Sequence, residues 1–214
     1  RENLFRASDS LETLHLLGTL YQTKGERAAA KKYYLAYLRE DRASECAADV
    51  YLTLGRMYRE EGNLQTALSF LAQASEISHD RGVKKELAGL LFETGDYAAA
   101  NAQFSELAKS ARSEEERMHV ELRLIIGMIR MGNLPEADAR AKQFSKDYNE
   151  VDEQLAELQF EKGSYYYRKQ DYTPALNAFE RLIKDYDESK FVPTAHYWLG
   201  KIYESTGQNQ RALE

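Results

Sequence analysis

Four histidines, His15, His79, His119 and His196, and one cysteine, Cys46, are the side chains best able to bind a metal or attack a substrate. They do not form a set. No two histidines stand at a zinc-binding spacing, and one thiol cannot supply a thiolate cluster. No glycine-rich phosphate loop and no Gly-x-Ser-x-Gly elbow occurs. The carboxylates are many, but they alternate with Lys and Arg along helical segments. The run Glu114-Glu115-Glu116 reads as a helix start, where the dipole favours negative charge. Cys46 reads as a small buried apolar residue. No catalytic residue, no metal site and no cofactor is expected, and the chain is not expected to be an enzyme. What remains is binding chemistry: arginines, and fifteen tyrosines concentrated in stretches such as Tyr33-Tyr34 and Tyr165-Tyr166-Tyr167.

The elements that carry these side chains repeat. Short turns recur at Gly25-Glu26, Gly62-Asn63, Gly95-Asp96, Gly132-Asn133, Gln170-Asp171 and Gly207-Gln208. Five residues after the first member of each stands an alanine: Ala30, Ala67, Ala100, Ala137, Ala175 and Ala212. Seven residues before it stands Gly18, Gly55, Ala88, Ile125, Gly163 or Gly200, and three further on a large residue, Tyr21, Tyr58, Leu91, Met128, Tyr166 or Tyr203. Nine residues after the turn comes Tyr34, Leu71, Phe104, Ala141 or Phe179. The turns are 37, 33, 37, 38 and 37 residues apart, a period of helical-hairpin size.

Apolar residues at three- and four-residue steps make each unit two amphipathic helices. Small residues on both helices let the backbones approach, and the large residues fill the space beside them. The turn glycine provides a left-handed residue at the helix end, and the Asp or Asn after it suits an N-cap. Pro135 and Pro174 fall in first turns, where a missing N–H does no harm. Ser113 with Glu116, and Asp9 with Glu12, read as capping boxes opening first helices.

This pattern resembles the tetratricopeptide repeat family. Leu17-Gly18, Tyr21, Gly25, Ala30 and Tyr34 carry the likeness, as do Leu54-Gly55, Tyr58, Gly62, Ala67 and Ala74, and Leu199-Gly200, Tyr203, Gly207 and Ala212. The resemblance implies an all-α fold, a right-handed α-solenoid of about six helix–turn–helix units forming one array over residues 1–214. The units fall near 11–44, 48–80, 81–113, 114–150, 152–188 and 190–214. The family's final proline is missing; Arg42, His79 and Asp187 stand in its place. The fourth unit carries Ile125 and Ala141 where others carry small and large residues, so that either the pair compensates or the hairpin splays. The third is short, with little room for a turn at His79-Asp80-Arg81-Gly82. The stretch from Phe179 to Tyr186, with the extended linker after it, resembles repeats of bacterial envelope proteins such as the Tol–Pal accessory protein and the outer-membrane assembly lipoprotein. This favours the bacterial periplasm or envelope over the cytoplasm without fixing it.

Stacked hairpins of this family line a concave groove with their first helices. Carried over, the groove residues are Leu52, Arg56 and Arg59 in the second unit, Phe92 in the third, and Arg123, Ile126 and Arg130 in the fourth. In the fifth they are Phe160, Tyr167 and Arg168, and in the sixth Tyr197 and Lys201. Arginine with aromatic anchors suits a peptide bearing carboxylates. Alternatively, these arginines pair with glutamates on adjacent helices. The family's clamp for a terminal carboxylate, a Lys and an Asn, is absent, since His15 and Thr19 stand at those places.

The expected function is thus a scaffold that takes a partner peptide or helix in its groove. Self-association into a structural oligomer, and regulation of an enzyme elsewhere in the chain, are the alternatives. A net charge of −6 argues against nucleic acid. No apolar run approaches the roughly 18 residues of a membrane span. A start without Met and an end at Ala212-Leu213-Glu214, inside a hairpin, read as a piece of a longer protein.

Overall fold

The computed structural model describes residues 2–208. Those residues form eleven α-helices: α1 (Glu2–Thr23), α2 (Arg27–Glu40), α3 (Glu45–Glu60), α4 (Leu64–Ile77), α5 (Arg81–Glu93), α6 (Tyr97–Lys109), α7 (Glu114–Met131), α8 (Leu134–Asp147), α9 (Asp152–Arg168), α10 (Tyr172–Asp185) and α11 (Val192–Ser205). No strand occurs among them. The chain falls into two compact units, one ending at Asp96 and the other beginning at Tyr97, so α5 and α6 belong to different units.

Every first helix ends the same way. Gly25, Gly62, Gly95, Gly132 and Gly207 have positive φ, and Gln170, the one non-glycine at this position, has φ 60°. The residue after each donates its N–H back to the large residue five positions earlier. Glu26 bonds Tyr21, Asn63 bonds Tyr58, Asp96 bonds Leu91, Asn133 bonds Met128, Asp171 bonds Tyr166 and Gln208 bonds Tyr203, at 2.8–3.0 Å. These are Schellman ends, which satisfy carbonyls a helix terminus would leave open. The recurring large residue of the sequence pattern is the one whose carbonyl accepts this bond.

The N-caps meet the expectation in part. Asn63 accepts from the Thr66 N–H at 3.3 Å, but the side chains of Asn133 and Asp171 make no capping bond. Ser113 caps α7 through the Glu116 N–H, and Glu116 returns to the Arg112 N–H at 2.9 Å, one residue earlier than a standard box. Asp9 and Glu12 open nothing, because α1 runs unbroken from Glu2. Three residues, Ser78 to Asp80, suffice to turn α4 into α5, with Asp80 accepting from the Val83 N–H. The alanine Ala212 lies outside the described residues.

The small-against-large rule sets the hairpin packing. A Cβ on Gly163 would stand 2.5 Å from Cε1 of Phe179, which is fully buried. Tyr34 lies on Gly18 in the same way. The fourth hairpin departs. Ile125 is buried against the rule, and the close contact of α7 moves to Gly127, which faces Asn101 on α6 instead of α8. Asn101 Nδ2 donates to the Leu124 carbonyl at 3.2 Å, fixing α6 on α7. Helix α7 buries Val120, Leu122 and every residue from Leu124 to Ile129, so it is the central helix of the second unit.

Cys46 is exposed, not buried as its residue type suggested. It is the second residue of α3, on the outward side of a first turn capped by Ser44.

Candidate partner-binding surface

In the first unit, the first helices α3 and α5 present Leu52, Arg56, Arg59 and Phe92. Leu52 is half-buried against the core. Arg56 Nε lies 2.9 and 3.1 Å from the two carboxylate oxygens of Glu86, and Arg59 Nη2 lies 2.7 Å from Glu93. Phe92 is 5% exposed, so it is packing and not a contact residue. Lys31 on α2 behaves similarly, with its ammonium 2.7 Å from Glu61 and 4.6 Å from the centroid of the Tyr58 ring.

In the second unit, Arg130 on α7 makes a fork with Glu161 on α9, Nε to Oε2 at 2.9 Å and Nη2 to Oε1 at 2.5 Å. Its guanidinium also lies 5.6 Å from the Tyr97 ring centroid. The side chains of Arg130 and Glu161 are only 28% and 12% exposed. The Glu161 bonds push the Arg130 pKa still further up, so the cation is permanent. A bidentate, half-buried pair of this kind does not open for a ligand without leaving a carboxylate unpaired in a poorly solvated place. The glutamate-pairing alternative thus describes Arg56, Arg59 and Arg130, each joined to an acid 30–34 residues on, about one repeat.

Ile126 is 1% exposed, because α7 is buried at every residue from Leu124 to Ile129, and it drops out of the surface. Phe160 is half-buried, with its ring centroid 5.8 Å from Phe179 and 5.3 Å from Phe191, and belongs to the core cluster of the fifth hairpin and α11. Arg123 is exposed on α7. Burial raises the pKa of Glu157 on α9 from its ordinary value; the Arg123 charge opposes the rise and Glu161 adds to it.

The remaining candidates lie on α9 and α11, and the rings among them meet. The Tyr167 ring lies 4.6 Å from Trp198, and Tyr197 lies 5.4 Å from Trp198. Tyr197 is 58% exposed. Lys201, one turn beyond Tyr197, holds its ammonium 5.8 Å from that ring and 3.0 Å from Glu204. Arg168 is exposed at the last turn of α9, and no hydrogen bond or ion pair to its side chain occurs among the described residues. Trp198 and Glu157 were not among the residues expected from the sequence. Trp198 adjoins Tyr197 and is the chain's single tryptophan, which was the available signal.

No group of three or more His, Cys, Asp or Glu among the described residues is placed to hold a metal ion. No described helix is long and apolar enough to cross a membrane. The surface offers rings, fixed ion pairs and a few exposed cations, which is equipment for recognising another chain.

Comparison with known proteins agrees with that geometry. Models of tetratricopeptide repeats match residues 11–44, 50–85 and 160–214. No curated protein sequence matches. Among solved structures, a tetratricopeptide repeat protein from Parabacteroides merdae superposes with TM-score 0.61 at 19% identity, over 96% of this chain and 77% of that one. YrrB, described as a TPR protein with an unusual peptide-binding site, superposes with TM-score 0.57 at 16% identity, over 85% of this chain and 89% of that one. MamA from Desulfovibrio magneticus RS-1 gives 0.54 at 12% identity, over 82% and 94%.

Proposed function

We propose that this chain, which belongs to the tetratricopeptide repeat family and is a protein–protein interaction scaffold, receives a partner peptide or helix on the first-helix face of its second unit. The observation that carries this reading is Tyr197, 58% exposed on α11 while resting on Trp198. Exposed rings held rigidly by neighbours are the usual anchors of a binding surface, since little conformational entropy is lost when they are covered. Arg123 on α7 and Arg168 on α9 are exposed cations on first helices of the same unit. Arg56, Arg59 and Arg130 serve instead as braces between helices. The peptide-binding site described for YrrB, a protein of the same fold, is consistent with such a use.

Peptides selected by display against the whole chain provide the test. Tyr197→Ala, Arg168→Ala and Arg123→Ala should each weaken the selected peptides by tenfold or more, while Lys142→Ala on α8 leaves them unchanged. Equal affinity for all four variants rejects this face as the binding site.

A second reading, self-association, draws on Leu16 and Leu20, which stand 60% and 46% exposed one turn apart on α1. Light scattering over a concentration range decides it; a monomer throughout excludes this reading.

A further inference from the structure

We propose that α1 carries a seam for a second copy of this chain, paired antiparallel across a two-fold axis that passes beside Gly18. This rests on the self-association reading and adds its surface, orientation and register. Leu11, Leu14 and Tyr21 pack inward from α1, and Gly18 lies against Tyr34 of α2. The opposite side of the helix carries Glu12, Thr13, Leu16, Leu20, Thr23 and Lys24, all exposed. Leu16 and Leu20, 60% and 46% exposed, form its middle. Thr23 already donates its hydroxyl to the Leu20 carbonyl at 2.8 Å, so covering it strands no donor. The stripe is uncharged along its centre, with an acid at one end and a base at the other.

These positions are symmetric about Gly18. Leu16 and Leu20 stand two positions either side of it, Thr13 and Thr23 five, and Glu12 and Lys24 six. In a two-fold contact the same patch of both copies meets itself, so each residue faces its symmetry-related counterpart. An antiparallel pairing about Gly18 sets Leu16 against Leu20 of the second copy, Thr13 against Thr23, and Glu12 against Lys24, each contact occurring twice. A parallel pairing in register would set Glu12 against Glu12 and Lys24 against Lys24, so charge selects the antiparallel one. Both charges are available for it. Several charges of this unit are paired between helices within the chain, Arg27 with Glu60, Lys31 with Glu61 and Arg59 with Glu93. Glu12 and Lys24 make no ion pair among the described residues. They stand about 18 Å apart along α1, too far to pair with each other.

Sedimentation velocity of the whole chain over a concentration series measures the dimer affinity. Leu16→Ser combined with Leu20→Ser should weaken it tenfold or more, with helical circular dichroism unchanged. Leu35→Ser, at an exposed leucine of α2, should leave it unaltered. Glu12→Lys and Lys24→Glu should each weaken it about tenfold, because each places like charges at both symmetric contacts. Mixed in equal amounts, these two variants should recover the parent affinity as a heterodimer, since every contact then joins opposite signs again. A mixture no tighter than either variant alone overturns the antiparallel register. A dimer untouched by the leucine changes overturns the seam and leaves self-association standing on another face. A monomer at every concentration overturns the proposal and the self-association reading together; loss of display-selected peptides on Leu16→Ser would then assign this face to a different partner.

Discussion

Replacing Gly163 by alanine tests the packing on which the second unit depends. The new Cβ would lie 2.5, 2.6 and 2.8 Å from Cε1, Cζ and Cδ1 of Phe179. Carbon atoms in contact prefer about 3.5–4.0 Å, so the ring must retreat by roughly 1 Å. It has little room, being fully buried and packed with Ala175, Leu182 and Ala195 in one cluster. Overpacking of this kind costs about 1–3 kcal/mol. Alanine regains up to about 1 kcal/mol over glycine in helix propensity. With that gain subtracted, the net expectation is a loss of about 0–2 kcal/mol. For a chain of this length each kcal/mol lowers Tm by about 2–4 °C. Gly89 on α5 is the matched control, because nothing lies within 4 Å of a Cβ placed there. Gly89→Ala should therefore stabilise by up to about 1 kcal/mol. Repeat arrays need not unfold in one step, so chemical denaturation should be monitored both by circular dichroism and by emission of Trp198, whose cluster includes Phe179. If Gly163→Ala gains as much stability as Gly89→Ala, close approach at this glycine is not what fixes α9 on α10.

Other outcomes rest on single contacts. Gln170→Gly relieves a left-handed non-glycine residue and should raise stability by about 0.5–1 kcal/mol, read by urea denaturation. A double-mutant cycle on Arg130 and Glu161 should give a coupling of about 1–3 kcal/mol, against under about 1 kcal/mol for the more exposed Arg59 and Glu93. Two carboxyls should shift stability with pH in opposite directions. Burial raises the Glu157 pKa, so its ionised form opposes folding; Glu157→Gln should stabilise at neutral pH, and the gain should vanish as pH falls through the carboxylate range. The Ser44 hydroxyl, with the Ala43 and Ser44 N–H groups, lowers that of Asp41. Asp41→Ala should therefore destabilise at neutral pH, and that loss should shrink on acidification.

The turns were the most legible part of the chain because a Schellman end is local: six residues of sequence contain the positive φ, the closing bond and the residue that accepts it. Gln170 could be placed in that series only by its spacing, since its type gives no hint of φ 60°. The fourth hairpin was half legible. Ile125 and Ala141 announced a departure, but that the close contact passes to Gly127 and Asn101 depends on which neighbouring helix α7 prefers, a tertiary choice. Ile126 was misplaced on the surface because a fixed motif position was given more weight than the apolar run around it, which is buried without a break from Leu124 to Ile129. The arginine pairs were legible in principle, as opposite charges about one repeat apart. Only the structure shows that Arg130 is sheltered and Arg168 open, because solvent exposure is set by helices distant in sequence.

The most direct measurement of the central claim is amide chemical-shift mapping of the chain with a display-selected peptide. Shifts should concentrate on α9 and α11 around Tyr167, Arg168, Tyr197, Trp198 and Lys201, with a smaller response on α7 at Arg123. Shifts centred on the second helices α8 and α10, with these residues undisturbed, would contradict it.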